Sequence, residues 1–256
     1  MSTHTGHVAL ITGAGRGIGR AIADAHAAAG ARVAYVDHDP ALAEEAAAAA
    51  KARGHEVIAV AADVANDEAV ALACRRAAEA LGTIDILVNN AGISPKSGTD
   101  GKRAHAWEMS PDEWHRVIDV NLTGAFNCMR TVVPGMREIG HGRIVSLSSV
   151  AGKTYCDIVG VHYAASKGAL IGFTKHLAGE LGPYGITVNA VAPGRIDTPL
   201  VRGTAPEANE AARLATPLRR LGSPEDVANM CLFLTSDAAA FVTGQVCDVA
   251  GGWLMT

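Results

Sequence analysis

Val8-Ala9-Leu10-Ile11-Thr12-Gly13-Ala14-Gly15-Arg16-Gly17-Ile18-Gly19, near the start of the chain, decides how the rest is read. Its apolar run is short and ends in glycines, the pattern of a buried strand. An alanine-rich stretch, Arg20 to Ala29, follows as a helix and is stopped by Gly30. Arg32-Val33-Ala34-Tyr35-Val36-Asp37 is a second apolar run. Strand, glycine turn, helix and strand within about 30 residues form a βαβ unit.

The glycines have a physical purpose. A tight turn needs residues that tolerate positive φ. A pyrophosphate must come close to the backbone, and it then sits at the positive end of a helix. Gly13, Gly17 and Gly19 follow G-x-x-x-G-x-G, a spacing distinct from the common G-x-G-x-x-G fingerprint. The expected ligand is a dinucleotide. Asp37 closes the second strand, where a carboxylate accepts both ribose hydroxyls of an adenosine and repels a 2′-phosphate. Arg16 points the other way, since a cation in the turn can reach that phosphate. Asp37 outweighs it, because its charge lies directly against the phosphate and His38, not arginine, follows. The expected cofactor is NAD.

Outward from this unit, strands and helices keep alternating. Helices are expected at Pro40 to Arg53 and Asn66 to Leu81, and strands at Val57 to Ala61 and Ile84 to Val88. Ile93 to Ala106 has no period and reads as a loop. Ser110-Pro111 opens a helix, with Glu113 completing a capping box, that runs to about Arg137 with an irregularity. A strand at Gly142 to Leu147, a helix through Tyr163 to Leu181 and a strand at Ile186 to Ala192 follow. After Arg195 comes a stretch rich in Pro, Thr and Ala without steady period. Ser223-Pro224-Glu225-Asp226 starts another helix, and Gln245 to Val249 is the last strand. The pattern predicts an α/β fold: one doubly wound Rossmann-type domain over residues 1–256, with a seven-stranded, mostly parallel sheet and helices on both faces. Ligands of such sheets bind at the carboxyl ends of the strands. Gly13, Asp37, Asp63, Asn90, Ser149 and Pro193 all follow strand ends.

Composition narrows the function classes. The 256 residues carry a net charge of -4, 49% apolar and 19% charged residues. That balance leaves no basic footprint for nucleic acid and none for an anionic membrane. No apolar run approaches the roughly 20 residues of a membrane span, and the short polar start is not a signal peptide. Cys74, Cys128, Cys156, Cys231 and Cys247 include no C-x-x-C pair. They read as reduced thiols in a cytoplasm. No His/Cys spacing suits zinc, so no catalytic metal is expected.

Tyr163 and Lys167 stand four apart, hence on one face of a helix. A phenol has a pKa of about 10, and an ammonium beneath it favours the phenolate. The pair can exchange a proton near neutral pH. Asn121 interrupts an apolar helix face, where a buried amide needs partners. Ser148 and Ser149 follow the fifth strand.

With these residues the sequence resembles the short-chain dehydrogenase/reductase family in its form of roughly 250 residues. The resemblance rests on Thr12 to Gly19, Asn89-Asn90-Ala91-Gly92, Asn121, Ser149, Tyr163-x-x-x-Lys167 and Pro193-Gly194 followed by Thr198, and it spans nearly the whole chain. It departs near the end, with Ala250-Gly251-Gly252 where many relatives have Asp-Gly-Gly. The resemblance implies a catalytic tetrad of Asn121, Ser149, Tyr163 and Lys167. Ser148 competes with Ser149, which is preferred because it directly precedes Val150. Tyr163 would move the hydroxyl proton, Lys167 would lower its pKa and bind the nicotinamide ribose, Ser149 would bind the substrate oxygen, and Asn121 would hold a water linked to Lys167. Cofactor contacts are expected from Gly13, Arg16, Gly17, Ile18, Gly19, Asp37, Asp63, Val64, Asn90, Tyr163, Lys167, Pro193, Ile196 and Thr198. For Asp63, a contact to the adenine amino group stands beside a turn or helix-cap role. A homotetramer, or less often a homodimer, packed through the helices carrying Asn121 and Tyr163, is also implied.

The expected activity is hydride transfer between NAD(H) and a secondary alcohol or ketone, on a small polar, polyol, sugar-like or anionic substrate. The alternative is a 3-oxoacyl-thioester (acyl carrier protein) reductase. A non-catalytic NAD-binding sensor or scaffold is the remote third. The substrate would meet Ser149, Tyr163 and Arg195. Lys96, Lys153, Tyr155 and His162 are other polar groups of the surrounding loops, either pocket-lining or simply solvated.

Overall fold

The computed structural model describes residues 3–98, 102–198, 201 and 206–256. Strand β1 (Val8–Thr12) is buried along its whole length. Val8 and Leu10 enter one apolar core and Ala9 and Ile11 the other, as side chains alternating across a sheet covered on both faces must. Helix α1 (Gly17–Ala28) returns the chain over one face, burying Ile22, Ala23 and Ala27. It leads to β2 (Arg32–Asp37), paired in parallel with β1.

Helices α2 (Pro40–Ala52) and α3 (Asp67–Leu81) flank β3 (Val57–Ala61) in the sequence. Asp39 and Asn66 cap them by accepting backbone N–H bonds. Strand β4 (Ile86–Asn89) starts two residues later than the apolar run suggests, because Asp85 turns its carboxylate onto the amide of Val8 at 2.8 Å. Helix α4 (Pro111–Ile118) passes through a π turn (Asp119–Thr123) into α5 (Gly124–Ile139). That turn is the expected irregularity. After β5 (Gly142–Leu147) come α6 (Val161–Leu181), β6 (Ile186–Pro193), α7 (Pro206–Ala215), α8 (Pro224–Thr235) and β7 (Val246–Val249).

The seven strands form one sheet in the order β3-β2-β1-β4-β5-β6-β7. Every pairing is parallel, which sharpens the expected "mostly parallel". Residues of α1, α2 and α8 fill the core on one face, and those of α3, α5 and α6 fill the other. Helix α7 is a correction: the stretch read as aperiodic folds into ten helical residues. Part of the expected 93–106 loop and part of the stretch after Thr198 lie outside the described residues. Strand order reverses between β1 and β4, so the crevice at their carboxyl ends is where a doubly wound sheet takes its ligand.

Candidate active site

The glycine turn is packed to the limit of its own atoms. Gly13 has φ +64, and a Cβ there would lie 2.9 Å from the Asn90 amide nitrogen. A Cβ on Gly19 would lie 2.0 Å from the Gly13 carbonyl oxygen. Asn90 is the stitch that holds this turn. Its Nδ2 donates to the carbonyls of Thr12 at 2.9 Å and Gly13 at 3.2 Å, and the amides of Asn90 and Ala91 both donate to Thr12 Oγ1 at 3.0 Å. Gly17 has φ +58, and a Cβ there would lie 3.8 Å from Thr198 Cγ2, in ordinary van der Waals contact. Arg16 is exposed, Ile18 is half-buried beside the core, and Pro193, Val64 and Ile196 are buried along the same strand ends.

The start of α1 differs from most other helix starts and shares the lack of a side-chain cap with α5 and α6. Asp39, Asn66, Ser110 and Ser223 cap α2, α3, α4 and α8, whereas Arg16 at the start of α1 makes no side-chain cap. Its first-turn amides therefore stay available to an anion. Asp37, 5% exposed, accepts the Gly15 amide at 2.9 Å and the Asp39 amide at 3.1 Å. A carboxylate is thus fixed where the adenosine ribose of a dinucleotide would lie. These residues fit a pyrophosphate and a ribose diol. Asp63 accepts the Ala65 amide and pairs with Arg116, both at 3.0 Å, so both of its oxygens have partners within the protein.

The proton-transfer residues gather at the end of β5. Asn121 sits in the π turn, 1% exposed. Its Oδ1 accepts the Ile93 amide at 2.8 Å, and its Nδ2 donates to the Ile93 carbonyl and to Ser166 Oγ, each at 3.0 Å. Ser166 in turn donates to the Tyr163 carbonyl at 2.8 Å. An extra residue in a helical turn widens it and re-aims the side chain there. The two serines differ in their partners. Ser148 donates to the Lys167 carbonyl at 2.7 Å, while Ser149 Oγ accepts the Ala151 amide at 3.2 Å and lies close enough to the Tyr163 phenol to hold its pKa down.

Lys167 is buried on the same helix as Tyr163. Its Nζ donates to the Leu147 carbonyl at 2.6 Å and lies 5.7 Å from the centre of the Tyr163 ring. Burial pulls this ammonium down to about 8. Burial likewise pushes the Tyr163 phenol up; Ser149 opposes that rise and Cys156 adds to it.

Three residues were not assigned roles from sequence. His162, fully buried, places Nε2 2.8 Å from Glu113 Oε1 on α4, and its Nδ1 accepts the Tyr163 amide at 2.6 Å. It ties the first turn of α6 to α4; its place beside the tyrosine gave no hint of that partner. Ser166 was readable, being three residues after Tyr163 on the same helical face. At Gly92 a Cβ would lie 3.3 Å from Asn121 Oδ1 and 3.4 Å from Lys167 Nζ.

Around the phenol, Arg103 donates to the Asp157 carbonyl at 2.6 Å and to the Tyr155 hydroxyl at 3.2 Å, joining the two loops expected to bound the substrate. Arg195 donates to Asn209 Oδ1 at 3.1 and 2.7 Å. Cys156 lies within electrostatic reach of both Arg195 and Tyr163. Lys153 instead pairs with Asp248 at 2.7 Å, which takes it to the C-terminal strand, and Lys96 is exposed. A cavity of about 390 Å³ lies beyond Arg195, among Thr216, Leu218, Asp226 and Ala250; Tyr163 does not line it.

Among the described residues no helix is long and apolar enough to cross a membrane. All five cysteines are free thiols.

Comparison with known proteins gives a consistent picture. A family model described as enoyl-(acyl carrier protein) reductase matches residues 13–254. A crystal structure described as a 3-oxoacyl-[acyl-carrier protein] reductase from Brucella melitensis ATCC 23457 is 51% identical, with TM-score 0.96, over 100% of this chain and 94% of that one. A second Brucella melitensis structure, described as a 3-oxoacyl-[acyl-carrier protein] reductase with bound NAD, is 49% identical with TM-score 0.93 at the same coverage. A 2-dehydro-3-deoxy-L-rhamnonate dehydrogenase (NAD(+)) of Sphingomonas sp. (strain SKA58) is 39% identical over 97% of this chain and 96% of its own. With its parallel sheet, glycine turn and Tyr163/Lys167 helix, this chain belongs to the short-chain dehydrogenase/reductase family of oxidoreductases.

Proposed function

We propose that this protein is an NAD-dependent dehydrogenase of the cytoplasm, acting on a secondary alcohol or ketone of a small, polar, hydroxylated or anionic molecule. The observation that carries the cofactor choice is Asp37, buried at the end of β2 and bonded to the Gly15 amide. A fixed carboxylate there accepts ribose hydroxyls and opposes a 2′-phosphate. Gly13, Gly17, Ile18 and Gly19 would carry the pyrophosphate on the uncapped start of α1, with Arg16 at its edge. Asp63, Val64 and Asn90 would border the adenine side, and Pro193, Ile196 and Thr198 the nicotinamide side.

NAD, when bound, supplies the hydride acceptor. The chain supplies the proton chemistry. Tyr163 takes the hydroxyl proton in oxidation and returns it in reduction. Ser149, close beside the phenol, would hold the substrate oxygen there. Lys167, whose ammonium donates to the Leu147 carbonyl, would hold the nicotinamide ribose. Asn121 fixes the Ile93 backbone and borders the space beside Gly92 in which a water links Lys167 outward. Arg195, held by Asn209 next to the Cys156-Asp157 stretch, is the best-placed cation for an anionic substrate. Arg195→Ala should raise KM for the true substrate; an unchanged KM would remove it from the pocket.

The second reading is a 3-oxoacyl-thioester reductase, favoured by the two Brucella relatives. Because one of them is described with NAD bound, cofactor choice alone does not separate the readings. The deciding experiment is steady-state assay of alcohols, sugars, hydroxy acids and 3-oxoacyl thioesters with both NAD(H) and NADP(H). Turnover of hydroxy acids or polyols with NAD supports the first reading. Efficient reduction of thioesters alone replaces it with the second. The expected assembly is a homotetramer through the helices bearing Asn121 and Tyr163. Phe126, 44% exposed on α5, supports it, and light scattering tests it.

A further inference from the structure

The opposite end of the sheet from Tyr163 carries a cluster that the oxidoreductase chemistry does not use. His7 precedes β1, Asp85 precedes β4 and His141 precedes β5, and these three strands are neighbours. The fold thus brings together residues too far apart in sequence to form any metal-ligand spacing. Each offers one ligand atom, and the three atoms lie within 4.8 Å of one another. His7 Nδ1 is 2.7 Å from Asp85 Oδ2. The other carboxylate oxygen accepts the Val8 amide at 2.8 Å, a backbone contact that fixes the orientation of a ligating carboxylate. The two imidazoles stack at 5.3 Å between centres. The independent observation is His141 itself: its Nε2 is buried and has no hydrogen-bond partner. A buried ring nitrogen without a partner is costly and calls for an occupant.

We infer that His7, Asp85 and His141 form a zinc-binding site at the amino-terminal edge of the sheet, with a structural rather than catalytic role. Two imidazoles and one carboxylate are a borderline N₂O set suited to Zn²⁺, with the fourth position left to water. His7 is partly exposed, its side chain at 24%, which gives the ion a route in. The surroundings include Arg143, whose charge opposes a cation, but Asp237 faces it at 3.6 Å. Asp85 and Asp237 together leave the neighbourhood net negative before the ion enters. Zinc bonds of about 2.0–2.1 Å require the three ligand atoms to draw together slightly. Binding displaces any proton shared between His7 and Asp85.

The test uses the full chain, stripped by chelator. Zn²⁺ is titrated against a chromophoric competitor at pH 7.5, and Co²⁺ is added separately to read the visible spectrum of its coordination. The expected result is one equivalent per chain, a tetrahedral Co²⁺ spectrum, and a zinc-dependent rise in unfolding temperature. His7→Asn, Asp85→Asn and His141→Asn should each weaken binding by about tenfold or more, while His176→Asn, at an exposed histidine, should not. NADH affinity, set at the far end of the sheet, reports that the variants are folded. If His141→Asn fails to fold, the more exposed His7→Asn together with the wild-type Co²⁺ spectrum still decides. Less than one equivalent in the wild type, an octahedral Co²⁺ spectrum, or losses no greater than that of His176→Asn would overturn the site.

Discussion

His26 offers a sharp quantitative test of how this fold is held together. It lies on α1, fully buried. Its Nδ1 donates to the Ile22 carbonyl at 2.8 Å, and its Nε2 meets Thr235 Oγ1 on α8 at 2.9 Å. His4 reaches the same hydroxyl at 3.0 Å. Burial drives the His26 ring from 6.5 down to about 4, with the nearby His4 adding to the fall and the Ile22 bond opposing it. Only the neutral ring is compatible with the folded interior. The unfolded chain therefore binds a proton that the folded chain does not whenever the pH lies between these two values. Stability from this residue is intact above pH 6.5 and is lost as the pH falls toward 4. Between pH 7 and pH 5 the linkage relation gives a loss of about 2 kcal/mol from His26 alone. Other groups titrate in the same window, so the comparison is with His26→Leu, which removes the titrating ring. Denaturant unfolding of both proteins at pH 7 and pH 5 should show the wild type losing about 2 kcal/mol more than the variant. Equal losses, or a ring that titrates in the native protein above pH 6 by NMR, would refute the reasoning.

Other perturbations address the site directly. Tyr163→Phe should lower turnover by about 10²- to 10⁴-fold while NADH binding, followed by fluorescence, stays nearly unchanged; wild-type turnover would end the proton-transfer role. Asp37→Ser removes the acceptor for the Gly15 amide and the charge facing a 2′-phosphate. NAD affinity should fall by about tenfold or more while NADP affinity rises, read from Kd values for both cofactors. Gly92→Ala places a methyl between Asn121 and Lys167, so kcat should fall by about tenfold or more with little change in Tm; unaltered kcat would show that the gap beside Gly92 is idle.

The sheet was legible because its strands are buried on both faces, which leaves nearly continuous apolar runs ended by glycine or asparagine. Gly13 to Gly19 and Asp37 could be read because close packing and a carboxylate fixed on the Gly15 amide restrict residue type. Ser149 was preferred to Ser148 for the valine that follows it, and the fold adds what the sequence could not, that Ser148 commits its hydroxyl to the Lys167 carbonyl. Helix α7 was hidden by its Pro, Thr and Ala surroundings, which carry no steady stripe. The burial of the proton-transfer pair was also out of reach. Spacing places Lys167 on the correct face but says nothing of the desolvation that pulls its ammonium down and pushes the Tyr163 phenol up. The pairing of His162 with Glu113 joins helices 49 positions apart, a distance across which periodicity carries no information.

The π turn at Asp119–Thr123 makes the length of this helix, and not only its composition, part of the site. Removing a single residue there would yield an ordinary continuous helix, at no local cost in hydrogen bonding. It would also rotate all of α4 by about 100° relative to α5. Glu113 would leave His162, and Asn121 would leave Ile93. A deletion that tidies the backbone would thus uncouple two helices whose phase the enzyme depends on, whereas many side-chain substitutions in the same stretch would leave that phase untouched.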